Sequence, residues 1–259
     1  MANSMNVNPL GNEVNHLLLK FGTEVLVDAS GKLDQEVFGN IARQCVETLM
    51  SVTIVSSGAI RAGEKSSLGA PRAFFSHKEY AAVGARYLMQ AWGDAFICFR
   101  MEVAQIWVTP VNMCHENERE RISMAIRFCH RNGVIPIINE NDVVSESWRG
   151  MDNDVLAGEI AELTRPDAVL FLTKVGGVYD KHPAENVFAR RYDEIDVQVA
   201  RDLASYLQPL HPHYSSGMRE KLLQAVRCVE MGMRVGIAGV ENNNIRRFAA
   251  GESVGTVIH

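Results

Sequence analysis

The sequence predicts an α/β protein, a three-layer αβα sandwich around a mostly parallel central sheet. Short apolar runs of strand length alternate with longer stretches of helical periodicity. Repeated β-α order implies crossover helices, and these cover both faces of a parallel sheet. A third observation locates function within that frame. Lys20-Phe-Gly-Thr23, Ser56-Ser-Gly-Ala-Ile60, Asn139-Glu-Asn-Asp142 followed by Asp152-Asn-Asp154, and Gly217-Met218 with Lys221 each stand where an apolar run meets a helical pattern. The carboxyl edge of an open α/β sheet is where such folds bind ligands.

The elements follow in order. His16–Lys20 begins the first strand, and Asp34 caps a helix running to about Met50 with Val37, Ile41 and Val46 among its apolar positions. Val52–Val55 reads as a buried strand. A long helical stretch covers Lys78–Arg100, Val103–Thr109 is a strand rich in β-branched residues, and Glu118–Arg131 is helical. Gly133 punctuates before the strand Val134–Ile138. Asp152–Leu163 is a helix with Leu156, Ile160 and Leu163 on one face. The strand Ala168–Leu172, helices at Val197–Leu207 and Met218–Met231, and the strand Arg234–Ala238 complete the pattern. There is no internal repeat and no low-complexity tract.

Bulk properties fit a cytoplasmic enzyme. A chain of 259 residues, 47% hydrophobic, can bury a large core. A net charge of −5 argues against nucleic acid as the main partner. The five cysteines, Cys45, Cys98, Cys114, Cys129 and Cys228, are scattered without a CxxC pair, which suggests neither a disulfide framework nor a zinc site. No run approaches the roughly 18 apolar residues of a membrane span. Residues 1–15 read as a loose polar tail, and 16–259 as the folded domain.

The motif residues suit phosphoryl transfer to a small zwitterion. Two lysines, Lys20 and Lys221, can neutralise phosphate; Gly22 and Gly58 can let backbone N–H groups turn toward anionic oxygens. The plain alternatives are a solvated strand-end lysine for Lys20, a first-turn helix lysine for Lys221, and turn glycines. Both lysines are expected to be reachable by solvent, so that replacing either would leave stability nearly unchanged. A carboxylate can hold an ammonium, and a serine hydroxyl with a backbone amide can hold a carboxylate. Ser57 and Asn153 could equally be N-caps and Asp142 an Asx-turn.

Val55-Ser-Ser-Gly-Ala-Ile60, Ala81-Ala-Val-Gly84, Gly133-Val-Ile-Pro-Ile-Ile-Asn-Glu-Asn-Asp142 and Asp152-Asn-Asp154 together resemble the glutamate 5-kinase family of the amino-acid kinase superfamily. Thr173-Lys-Val-Gly-Gly-Val-Tyr-Asp180 is similar to a stretch shared more widely there, uridylate kinases included, and Gly251–Thr256 resembles the closing strand. The resemblance implies the amino-acid kinase fold, with an acceptor site in the N-terminal half and a nucleotide site in the C-terminal half. It implies ATP-dependent phosphorylation of L-glutamate to γ-glutamyl phosphate, the first step of proline biosynthesis, in a cytoplasmic homo-oligomer, dimer or tetramer. Lys20, Asp154 and Lys221 would be catalytic, with Asp154 orienting both lysines. Ser57, Gly58, Asp142 and Asn153 would bind the acceptor. Lys20, Gly22, Thr173, Lys174, Ser215, Ser216, Gly217, Met218 and Lys221 would bind the nucleotide. Magnesium is expected on the phosphates, without a direct protein ligand. A C-terminal RNA-binding-like PUA domain, common in the family, is expected to be missing.

The chain departs from the family in places. A loop usually Gly-Thr-Gly-Gly-Met-x-Thr-Lys reads Tyr214-Ser-Ser-Gly-Met-Arg-Glu-Lys221, which places Glu220 near the phosphates. Glu24 replaces a small hydroxyl residue and Lys174 an aspartate, while His211 and His213 form an isolated pair. A kinase of another small carboxylate, or a weakly catalytic amino-acid- or nucleotide-binding regulator, is the alternative reading.

Overall fold

The computed structural model describes residues 15–66, 75–145, 152–181, 183–207 and 217–259. Among these, eight strands form one sheet in the order β3-β4-β2-β1-β5-β7-β8-β6. They are β1 (His16–Phe21), β2 (Ser51–Ser56), β3 (Glu102–Val108), β4 (Val134–Glu140), β5 (Ala168–Leu172), β6 (Glu194–Ile195), β7 (Arg234–Ala238) and β8 (Thr256–Ile258). Only β8 runs antiparallel to its neighbour β7; the other pairings are parallel.

The helices are α1 (Gln35–Glu47), α2 (Ala59–Glu64), α3 (His77–Ile97), α4 (Pro110–Cys114), α5 (Glu116–Arg131), α6 (Asn153–Thr164), α7 (Val197–Tyr206), α8 (Gly217–Glu230) and α9 (Asn244–Ala249). They cover both faces, which is why β1, β2 and β5 read as continuous apolar runs. One core, around Phe21, Phe38, Trp92, Phe96 and Phe248, lies on the side of α1, α3 and α9. The other, around Leu18, Phe171, Leu156, Ile160 and Leu222, lies on the side of α6 and α8. No helix among the described residues is long and apolar enough to cross a membrane.

Local signals account for most boundaries. Asp34 caps α1, accepting from Glu36 N at 3.0 Å and Val37 N at 3.3 Å. The fully buried positions of that helix include Phe38, Ile41 and Ala42, while Val37 and Val46 sit at the edge of the core. The helical stretch expected at Glu118–Arg131 begins earlier and follows a separate short helix. Thr109 caps α4 with Pro110 in its first turn, and His115, at φ −107° and ψ 116°, breaks the chain before α5. The closing strand lies later than the Gly251–Thr256 stretch, because Gly251 and Gly255 adopt positive φ and only Thr256 enters β8.

The Ala81–Gly84 stretch has a packing role. A Cβ added at Gly84 would lie 1.7 Å from Ala59 O, so α3 rests directly on the backbone of α2. Gly84→Ala therefore forces these helices apart and should destabilise the protein by about 3 kcal/mol or more in denaturant unfolding. The same packing supports the Ser57–Gly58 turn at the head of α2.

Candidate active site

Side chains alternate across a strand, so Leu17, Leu19 and Phe21 enter the first core, while Leu18 and Lys20 face α6 and α8. Lys20 is level with Val55 of β2 and Phe171 of β5. Asp154 occupies the first turn of α6, where its N–H donates to Asp152 Oδ1 at 2.8 Å. Lys221 is the fifth residue of α8, just past its first turn. The fold thus brings three charged residues from distant parts of the chain together.

Lys20 Nζ lies 2.8 Å from Asp154 Oδ1. Lys221 Nζ donates to Asp154 Oδ1 and Oδ2 at 2.8 and 2.9 Å, and lies 5.8 Å from the centre of the Phe171 ring. All three are buried: Lys20 is 4%, Asp154 2% and Lys221 5% exposed. This corrects the expectation of solvent-reachable lysines, because strand alternation turns Lys20 inward and α6 closes over both ammonium groups. Burial alone pushes the Asp154 carboxyl up, but Lys221 and Lys20 outweigh it and hold the group below its ordinary value. Burial, opposed by Asp154, lowers Lys221. Two ammonium groups share the one buried carboxylate of Asp154, and Asp152 acts on Lys221 as a further, half-buried carboxylate.

That group lines a cleft of about 670 Å³ with Gly22, Ser57, Thr173, Lys174, Gly217 and Met218. Of the expected nucleotide-side residues, Ser215 and Ser216 lie outside the described residues, as do Tyr214, His211 and His213. Gly22 lines the cleft with extended backbone, φ −75° and ψ 154°, and its N–H points to Leu172 O at 3.5 Å. Its N–H is thus directed at a sheet carbonyl, unlike the expected turn toward anionic oxygens. Glu220 is not among the lining residues; its carboxylate accepts from Gln224 Nε2 at 2.8 Å and lies 3.9 Å from Arg219. The acid before Lys221 is thereby held away from the cleft, which corrects the expected proximity to phosphate.

The expected acceptor residues are grouped less tightly. Asn153, the first residue of α6, donates from Nδ2 to Ser57 Oγ at 2.9 Å, while its Oδ1 is buried with no hydrogen-bond partner among the described residues. Ser57 reaches the cleft, and Gly58 turns the chain into α2 at φ 111°. Asp142 stands in the turn after β4 and does not line the cleft. Burial first, and then Glu140, push its carboxyl up to about 6, with His77 pulling the other way.

Sequence reasoning placed Asp152 in the Asp152-Asn-Asp154 motif without a role and missed Lys181, Leu203, Tyr206 and Leu207, all lining the cleft. Asp152 was visible as a helix cap. The α7 residues carried no signal, because only tertiary packing brings the end of that helix to the cleft.

The profile of the Amino acid kinase family matches residues 15–239. Glutamate 5-kinase of Proteus mirabilis is 34% identical over 94% of this chain, and that of Desulfotalea psychrophila 30% over 93%. The chain spans 68% and 66% of the lengths of these relatives. Among solved structures, isopentenyl phosphate kinase of T. acidophilum superposes with a TM-score of 0.67 at 19% identity, covering 94% of this chain and all of the other. UMP kinase of Bacillus anthracis gives 0.64 at 18%, covering 96% and 97%. The chain belongs to the amino acid kinase family, in the group of the glutamate 5-kinases.

Proposed function

We propose that this protein transfers the γ-phosphoryl group of ATP to the γ-carboxylate of L-glutamate, giving γ-glutamyl phosphate and ADP, the first step of proline biosynthesis. The observation that carries the reading is the buried Lys20–Asp154–Lys221 group, two ammonium groups on one carboxylate at the cleft. Two ammonium groups taken out of water and sharing one carboxylate can turn to an incoming anion, and relatives named glutamate 5-kinase supply the reaction.

A carboxylate oxygen attacks the γ-phosphorus while the bond to the β-phosphate oxygen breaks and leaves with ADP. No proton moves, so positioning and charge neutralisation are the main tasks. Lys20 and Lys221 would flank the transferring group, with Asp154 setting their spacing. Thr173, Lys174, Gly217 and Met218 would line the nucleotide side, and Ser57, Gly58, Asn153 and Asp142 would hold the amino acid. Asn153 Oδ1, buried and without a partner among the described residues, is an acceptor suited to an ammonium.

Both oxygens of Asp154 are engaged by ammonium groups, and no group of three or more His, Cys, Asp or Glu side chains suited to a metal occurs among the described residues. These residues fit magnesium carried on nucleotide phosphates through water, with Asp152 among the carboxylates lining the cleft. Bound there, it would neutralise phosphate charge. The regulator reading draws on the altered Tyr214–Glu220 stretch, but the Gln224 contact to Glu220 weakens it.

ADP release by the purified protein with ATP and magnesium tests the proposal against glutamate, aspartate, N-acetylglutamate and UMP. Glutamate should stimulate release, and use of UMP or N-acetylglutamate in its place would sink the assignment. A pH series supplies a second check. A carboxyl raised to about 6 keeps its proton to higher pH in the folded state than in the unfolded one, so its contribution to stability is present at low pH and lost as pH rises through about 6. Only the ionised form attracts the acceptor ammonium, so the glutamate KM should be about tenfold higher at pH 5 than at pH 7. Asp142→Asn should raise the KM and remove this dependence.

A further inference from the structure

The turn after β4 is braced to the start of α3 by contacts that the roles above do not use. Glu140 ends β4, is 2% exposed, and accepts from Ser145 Oγ at 2.5 Å. Ser145 is buried too, and its carbonyl accepts from Lys78 Nζ at 2.8 Å. Lys78 lies in the first turn of α3, whose start is fixed by a capping box between Ser76 and Glu79. The turn is closed at both ends, since Asn141 N donates to Val108 O at 2.8 Å and Ser145 N to Asn141 O at 3.2 Å. Asp142 sits inside this closed turn, with Glu140 of β4 and His77 of α3 as the titratable groups facing it.

We propose that Glu140, Ser145 and Lys78 are positioning residues that hold Asp142 to receive the ammonium group of the acceptor. The inference rests on the acceptor role given to Asp142 above. Two carboxylates within one turn repel each other in the empty site, and an arriving ammonium relieves that repulsion, so the pair is matched to a cationic group. Without the brace the pair could separate into solvent and lose the match. A half-buried lysine-to-carbonyl contact across 67 positions of sequence also fixes the acceptor turn against the helix that packs on the Ser57–Gly58 turn.

Steady-state kinetics of Ser145→Ala and Lys78→Met test this, with Asp142 followed by carbon NMR in the acceptor-free protein. The KM for glutamate should rise about tenfold with kcat and the ATP KM within about twofold, because only ground-state binding is lost. Ser145→Thr should restore it by returning the hydroxyl. Glu140→Gln should bring the Asp142 titration midpoint down from about 6 toward the ordinary carboxylate range. An unchanged glutamate KM in both brace variants, or equal losses in kcat and both KM values, would overturn the proposal. So would an unchanged Asp142 midpoint in Glu140→Gln, a readout that needs no turnover. A wild-type protein that ignores glutamate instead refutes the proposed reaction, which the acceptor panel reads separately.

Discussion

Lys20→Ala and Lys221→Ala are each expected to lower kcat on the order of 10²-fold or more, since a preorganised charge at the transferring phosphoryl group contributes a few kcal/mol. The reaction brings a carboxylate against a polyanion, and no other buried side chains among the described residues are placed to offset that repulsion at the cleft. Both ammonium groups share Asp154 Oδ1 at 2.8 Å, so the three behave as one unit. Asp154→Asn combined with either lysine change should therefore cost less than the sum of the single losses. Initial-rate kinetics at saturating ATP and glutamate measure this. Wild-type turnover by Lys20→Ala would remove the catalytic reading.

Stability should respond in a different order. Asp154→Ala leaves two buried ammonium groups facing each other and is expected to destabilise the protein by about 3–5 kcal/mol. Lys20→Met or Lys221→Met leaves a neutral pair and should cost far less. Replacing all three by apolar residues should recover most of the loss, as removal of a buried ionic group often does. The pH dependence follows from the depressed Asp154 carboxyl. Its contribution is present above the ordinary carboxylate range and is lost as pH falls through the lowered value. Denaturant unfolding of the four variants checks the order; equal losses for Asp154→Ala and Lys20→Met would contradict it.

Much of this arrangement was legible in the sequence. The strands β1, β2, β4, β5 and β7 announced themselves because burial on both faces makes them mostly apolar, and the polar motifs at their ends marked the ligand edge. Lys20, Asp154 and Lys221 could be singled out, and they meet within 2.8 Å. Their burial could not be read, because it depends on which way strand alternation turns Lys20 and on α6 and α8 converging above it. Elements set by tertiary contact were also missed. β6 has two residues and exists through pairing with β8, and α9 starts from Asn243 at positive φ without a side-chain cap. The direction of Glu220 was misjudged for a related reason. Its partner, Gln224, lies one turn further along a helix whose facing side only the packing against α6 decides.

The most direct test of the central claim follows the oxygen atoms. Glutamate labelled with oxygen-18 in its γ-carboxylate is incubated with the protein, ATP and magnesium, and the acyl phosphate is trapped with hydroxylamine. Attack by the carboxylate leaves one labelled oxygen bridging carbon and phosphorus, and hydroxylamine then displaces it from carbon. The account predicts γ-glutamyl hydroxamate and inorganic phosphate carrying one oxygen-18, in amounts matching the ADP formed. Glutamate-dependent ADP release with unlabelled phosphate and no hydroxamate would contradict it.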